Sequence, residues 1–348
     1  MTQRRAMVML GMVMVTGLMA MTGCQQGGNG TGFGAMGSGG DVVYVAPRDR
    51  AIGILELAAS SQSAELRANA LEAMNAAPDL LAHYVREALA DENRAVRFVA
   101  AMSVGTHRME DLSPLVEPLL LDSSESVRAA AIFALRQCGR QVDVNPLASM
   151  IRSDQPEVRA NAALVLGKLG NPSAAPMIEQ TLGDEMFMAT AAQARLVELQ
   201  LTEALIKLGR RSQIHTVRAA LFLPTELQEV TALACQVIAE VGDRGSIGAL
   251  QRLIQAEGVE RRAAEVRMAA AMALARLGEP VPAGIAAEFA GNQRPQLRAQ
   301  AAMTLAWMEG AEVEPLLGSL LEDDNPLVQL AAAGGILRRS ARNIARNR

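Results

Sequence analysis

A unit of about 31 residues recurs along this 348-residue chain, and it limits the possible folds more than any other feature. The unit reads D-x-x-x-x-V-R-x-x-A-x-x-A-L or a close variant. Its copies place Leu66, Arg67 and Ala70 in register with Val96, Arg97 and Ala100, with Val127, Arg128 and Ala131, and with Val158, Arg159 and Ala162. Val266, Arg267 and Ala270 form a further copy, as do Leu297, Arg298 and Ala301. Two weaker copies, around Val230 and Thr231 and around Val328 and Gln329, keep the apolar and small positions but lose the arginine; a ninth, at Val197 and Glu198, is degenerate. Successive arginine positions lie 30, 31, 31, 39, 33, 36, 31 and 31 residues apart.

Each unit has the grammar of two short helices. Ser113 and Pro114 occupy cap and first-turn positions, Leu115 to Leu121 follow, Asp122 ends the run, and a second helix spans Val127 to Leu135. In that second helix the apolar residue and the alanine four positions later share a face, and alanine lets the neighbouring helix come close. One hairpin cannot bury its own apolar surface, so neighbours must stack into a continuous core. Composition agrees: half of the residues are hydrophobic but only 3% are aromatic, the balance being helix formers such as Ala, Leu and Met.

The pattern resembles the HEAT repeat, especially the short variety of phycobilisome lyases, from Asp49 to about Arg339. The resemblance implies an all-α solenoid, a superhelix of about nine hairpins over residues 41–348. Its surface would bind other proteins. An elongated, gently curved stack of nine layers would be about 90 Å long at 10 Å per layer, ending in a terminal helix that caps it.

The recurring Arg67, Arg97, Arg128, Arg159, Arg267 and Arg298 are read as structural rather than ligand-binding. Asp91 with Arg97, Asp122 with Arg128 and Asp154 with Arg159 put a carboxylate in the turn and a guanidinium in the next helix, and the resemblance implies that they knit the turn to the adjacent repeat.

The start of the chain has a different character. Arg4 and Arg5 precede an apolar run from Ala6 to Met21, short for a membrane span, and small residues lead to a cysteine. Met21, Thr22, Gly23 and Cys24 resemble a bacterial lipobox, with Met21 in place of the usual leucine. That resemblance implies a signal peptide over 1–23, cleavage between Gly23 and Cys24, and a lipid on Cys24. Residues 24–40 form a glycine-rich tether that would span roughly 20–24 Å. The expected location is the cell envelope, on the inner or outer membrane, facing the periplasm or exterior.

Other chemistry is sparsely signalled. Gly32, Gly34 and Gly37 satisfy GxGxxG without the strand and helix that a dinucleotide site requires. His83, His107 and His215 have no metal-ligand spacing, and Asp323 with Asp324 suits a capping turn rather than a calcium loop. Cys138 and Cys235 sit three repeats apart, beyond disulfide reach, and read as buried thiols. A net charge of −4 does not suggest a nucleic-acid surface. Two insertions break the period, at 185–201 and after Gly258. Met186, Phe187 and Met188 in the first are candidate partner-binding residues, set against a reading in which an elongated helix simply packs on its neighbours. The C-terminal Arg338, Arg339, Arg342, Arg346 and Arg348 read as a cap in preference to a lipid contact.

The expected function is therefore a membrane-tethered scaffold for protein partners. It is not an enzyme, and no cofactor, metal, nucleic acid or small-molecule substrate is expected. The alternatives are a bilin-lyase-like or enzyme-accessory protein and a purely structural envelope protein.

Overall fold

The computed structural model describes residues 46–256, 258 and 261–346. Among these are eighteen α-helices in nine successive pairs and no β-strand. The pairs are α1 Pro47–Ala59 with α2 Ala64–Met74, α3 Pro78–Ala88 with α4 Arg94–His107, and α5 Ser113–Val116 with α6 Glu125–Gln137. Next come α7 Pro146–Met150 with α8 Pro156–Leu169, α9 Ala175–Glu179 with α10 Ala191–Lys207, and α11 Ile214–Ala220 with α12 Gln228–Val241. The last three are α13 Ile247–Gln255 with α14 Ala264–Arg276, α15 Ala283–Ala290 with α16 Pro295–Leu305, and α17 Val313–Leu321 with α18 Pro326–Arg346. The fold is an α-solenoid of HEAT-like hairpins.

Local chemistry sets the helix ends. Ser63, Asn93 and Ser124 accept backbone N–H groups of the helices they precede, and Thr190 forms a reciprocal capping box with Gln193. Proline opens α8, α16 and α18, where its missing donor costs nothing. Eleven positions after the repeat arginine, six of the second helices, α4 to α14, end in a left-handed residue. Gly139, Gly170, Gly209, Gly242 and Gly278 supply it, but α4 uses Arg108 at φ 50°, the one non-glycine with positive φ among the described residues.

The described residues form two compact units, one from 46–84 and 280–346, the other from 85–279. In the second, α4, α6, α8, α10, α12 and α14 pack successively. Alanine three positions after the repeat arginine is fully buried at Ala100, Ala131, Ala162, Ala234 and Ala270, which is how adjacent second helices approach so closely. At Gly105 the approach is closer still: an added Cβ would lie 2.6 Å from the Phe133 ring and 2.9 Å from Ala134 Cα.

The first unit joins both ends of the chain. Helix α18 packs on α16 and α17, as the repeat requires, and also on α1 and α2. Gly334 makes room for this, since a Cβ there would lie 2.9 Å from the Ala73 Cβ, and Arg50 of α1 pairs with Glu322. The α18 surface beyond the last hairpin stays apolar around Ala331, Ala333 and Leu337, and the first hairpin covers α18 in place of solvent.

Candidate functional site: turn clasps and the outward row of the second helices

The turn between paired helices is built alike in repeat after repeat. Asp91, Asp122, Asn292 and Asp323 each accept the backbone N–H two residues on, at 2.8, 2.8, 2.9 and 2.9 Å, and Ser61 and Ser153 do the same with their hydroxyls. The repeat arginine then reaches back to the turn. Arg97 Nη1 donates to the carbonyls of Asp91 and Glu92 at 2.8 and 3.0 Å, and Arg67, Arg128 and Arg298 each make the same two bonds in their own turns. Arg159, which is buried, donates to the Ser153 and Arg152 carbonyls. Gln329, where the arginine is lost, still donates from its amide to Asp323 O at 2.7 Å.

The carboxylates pair differently from the expectation. The other edge of Arg97 is clasped by Asp122, twenty-five residues on, at 2.7 and 2.9 Å; Arg298 is clasped by Asp323 at 2.6 and 2.7 Å. Each clasp thus ties one turn to the turn of the next repeat. Asp122 serves Arg128 through its backbone carbonyl, and Arg159 likewise uses carbonyls rather than the Asp154 side chain. The reason is geometric: a helix-start arginine folds back over its own turn, where the carbonyls point at it, while that turn's carboxylate is engaged with its own backbone and faces the preceding repeat. Arg128 finds Ser153 at the matching place in the next turn and pairs within its own helix with Glu125 at 3.1 Å. Burial would raise Asp122 and Asp323, but the guanidinium hydrogen bond, the backbone N–H bond and the guanidinium charge together outweigh it and hold both below the usual carboxylate range.

Nine positions after the repeat arginine the second helices present a row that changes from repeat to repeat. In the 85–279 unit it reads Thr106, Gln137, Lys168, Lys207, Glu240 and Arg276, none of them buried. Lys207 donates to Glu203 at 2.7 Å and Glu240 at 3.1 Å, and Arg276 donates to Glu240 at 2.7 Å. Burial would raise Glu240; the Lys207 and Arg276 charges bring it down to about 2. Sequence reasoning passed over this row because no residue type runs through it as alanine and arginine run through theirs.

The 185–201 insertion divides in two. Residues 182–190 carry no regular helix, and α10 is elongated, burying Leu196, Val197, Leu199 and Leu201. Of the three candidate partner-binding residues, Met186 is buried, which corrects its assignment to a surface patch, while Phe187 and Met188 are 85% and 67% exposed. Leu121 and Phe222, at the corresponding turns of other repeats, are also exposed.

Cys138 and Cys235 are buried free thiols, and burial pushes the Cys235 thiol up to about 12. No group of His, Cys, Asp or Glu among the described residues could hold a metal ion. Arg267 is buried at the start of α14. The C-terminal arginines grip the turn after α16. Arg338 and Arg342 lie 5.2 and 5.3 Å from the Trp307 ring, Arg339 donates to Met308 O, Arg342 to Ala306 O, and Arg346 pairs with Glu309. Gly23, Cys24, the tether and Arg348 lie outside the described residues. No helix among the described residues is long and apolar enough to cross a membrane.

Comparison with known proteins places HEAT repeats on this chain: the family profile described as HEAT repeats matches residues 53–136 and 112–195. No curated protein matches the chain significantly. Similar solved structures include human deoxyhypusine hydroxylase in complex with glycerol, at 15% identity over 84% of this chain and 97% of that one, with a TM-score of 0.37. The CpcE–CpcF complex of phycocyanin lyase from a Nostoc species is 19% identical over 70% and 94%, TM-score 0.38. An engineered protein is 17% identical over 84% and 94%, TM-score 0.31.

Proposed function

We propose that the chain is an exported, lipid-anchored scaffold that binds protein partners through the outward row of its second helices. One contrast carries the reading. Positions that are constant across repeats are used up by the fold: the alanines are buried and the arginines bond their own turns. The ninth position beyond the arginine is exposed or half-buried and changes from Thr106 through Lys168 to Arg276. In a repeat protein a constant interior with a variable accessible face is the arrangement expected of recognition. The exposed Phe187 and Met188 add an apolar contact of the kind found at adaptable interfaces.

The anchor rests on the sequence. A basic start, an apolar run and Gly23–Cys24 direct the chain to the envelope, and acylation of Cys24 by more than one chain would hold it there stably.

Two experiments test these parts separately. Cells fed an alkyne fatty acid should label the wild type and not Cys24→Ala; label on the variant would refute the anchor. Affinity capture from detergent-solubilised membranes should return a stoichiometric partner that a Thr106→Glu, Gln137→Glu double variant of unchanged melting temperature loses. A preparation carrying a pigment or small molecule and no protein would contradict the scaffold.

A further inference from the structure

Lysine is rare here. Of 33 basic residues only Lys168 and Lys207 are lysine, and they occupy the same position in consecutive repeats, near the ends of α8 and α10, which pack together. At Gly167 the two helices are in close approach: an added Cβ would lie 3.1 Å from Ala204 Cα and 3.6 Å from Lys207 Cδ. That approach brings the backbone next to Lys168 against the stem of Lys207.

The two amines meet different surroundings. Lys207 donates to Glu203 at 2.7 Å and to Glu240 at 3.1 Å, and Arg276 takes the other side of Glu240. Lys168 has no hydrogen bond or ion pair among the described residues, and it is half-buried. Its neighbour on the row from α6 is the uncharged Gln137. The other 31 of the 33 Lys and Arg residues are arginine, which cannot lose its proton and so cannot act as a nucleophile.

We propose that Lys168 is a nucleophilic amine that condenses with the carbonyl of a small aldehyde or ketone reaching the outward face of α8. The lone pair of the neutral Nζ adds to the carbonyl carbon, forming a C–N bond, and a proton passes from nitrogen to oxygen. The resulting hydroxyl takes up a proton and leaves as water, and the iminium nitrogen returns one, so that a C=N bond and one water are the products. Nothing is oxidised or reduced. Burial, and then the Lys207 charge, hold the Lys168 ammonium below the ordinary lysine range; Glu203 and Glu240 act in the opposite direction but are engaged by Lys207 and Arg276.

The test is reductive labelling of the full chain with benzaldehyde and cyanoborohydride at pH 7.5, read peptide by peptide by mass spectrometry. Lys168 is expected to form its adduct several-fold faster than Lys207, whose ammonium is held by Glu203 and Glu240. Lys168→Arg should abolish the fast adduct with the melting temperature unchanged. Lys207→Gln should slow labelling of Lys168 several-fold, because it removes the repelling cation and frees two carboxylates. Labelling of Lys168 no faster than Lys207 overturns the proposal, as does a folded Lys207→Gln protein whose Lys168 reacts at the same rate or faster. Should that variant fail to fold by circular dichroism, the wild-type rate ratio and Lys168→Arg decide.

Discussion

Helix α6 and helix α18 sit in equivalent places in their repeats, yet they are packed by different logic. In the 85–279 unit α6 lies between α4 and α8, its neighbours in the chain, and every contact follows the 31-residue period. In the other unit α18 lies between α16, from the repeat before it, and α1 with α2, from the far end of the chain. Both contacts use a glycine to bring helices together, Gly105 against α6 and Gly334 against α2. A period can therefore specify what a repeat looks like without specifying which repeat it will touch.

The largest expected effect breaks that comparison at α18. Gly334→Leu drives a side chain into Ala73 Cβ and Cα, and overpacking of this kind should cost about 3 kcal/mol. Urea unfolding should show the loss, and it should fall on the unit built from both chain ends.

Next come the clasps, which both units share. Arg97→Ala and Arg298→Ala each strip a largely buried carboxylate of its partner and should each cost about 2–3 kcal/mol. Arg128→Ala, whose guanidinium has no next-turn carboxylate and pairs with a half-exposed Glu125, should cost only about 1 kcal/mol, chiefly through its turn carbonyls. Equal melting temperatures for the Arg97 and Arg128 variants would show that the cross-repeat carboxylate contributes nothing.

The clasps also set an acid limit. Asp122 and Asp323 are held below their unfolded value of about 3.9, so their contribution is complete above that value and lost as pH falls through the lower folded value. An Asp122→Asn, Asp323→Asn variant should be less stable than the wild type at pH 7, and the gap should narrow as pH falls below about 3.9. A constant gap across that range would contradict the assignment.

The smallest effect has the opposite sign. Arg108 adopts the left-handed conformation that glycine supplies in five other second helices, so Arg108→Gly should raise stability by about 1 kcal/mol.

Much of this was legible beforehand. The alanine column and the prolines opening helices could be read from spacing, because each is a local consequence of the repeat, while the structural role of the arginines came from the HEAT resemblance. The Asp122 clasp was misplaced because spacing within a turn looks the same whichever neighbour the carboxylate serves. Met186 was placed on the surface with Phe187 since three consecutive apolar residues in a loop carry no periodicity to sort them. The junction of α18 with α1 and α2 left no trace in the period, because Gly334 and Ala73 are unremarkable until they face one another. Lys168 and Lys207 were visible as the two lysines, but their proximity depends on how α8 and α10 stack.

Hydrogen–deuterium exchange on wild type and Gly334→Leu tests the central claim, that the first and last hairpins pack together into one unit. The account predicts that peptides from 47–74 and 313–346 lose protection together in the variant while those from 94–170 keep theirs. Loss confined to 326–346, with α1 and α2 still fully protected, would contradict it.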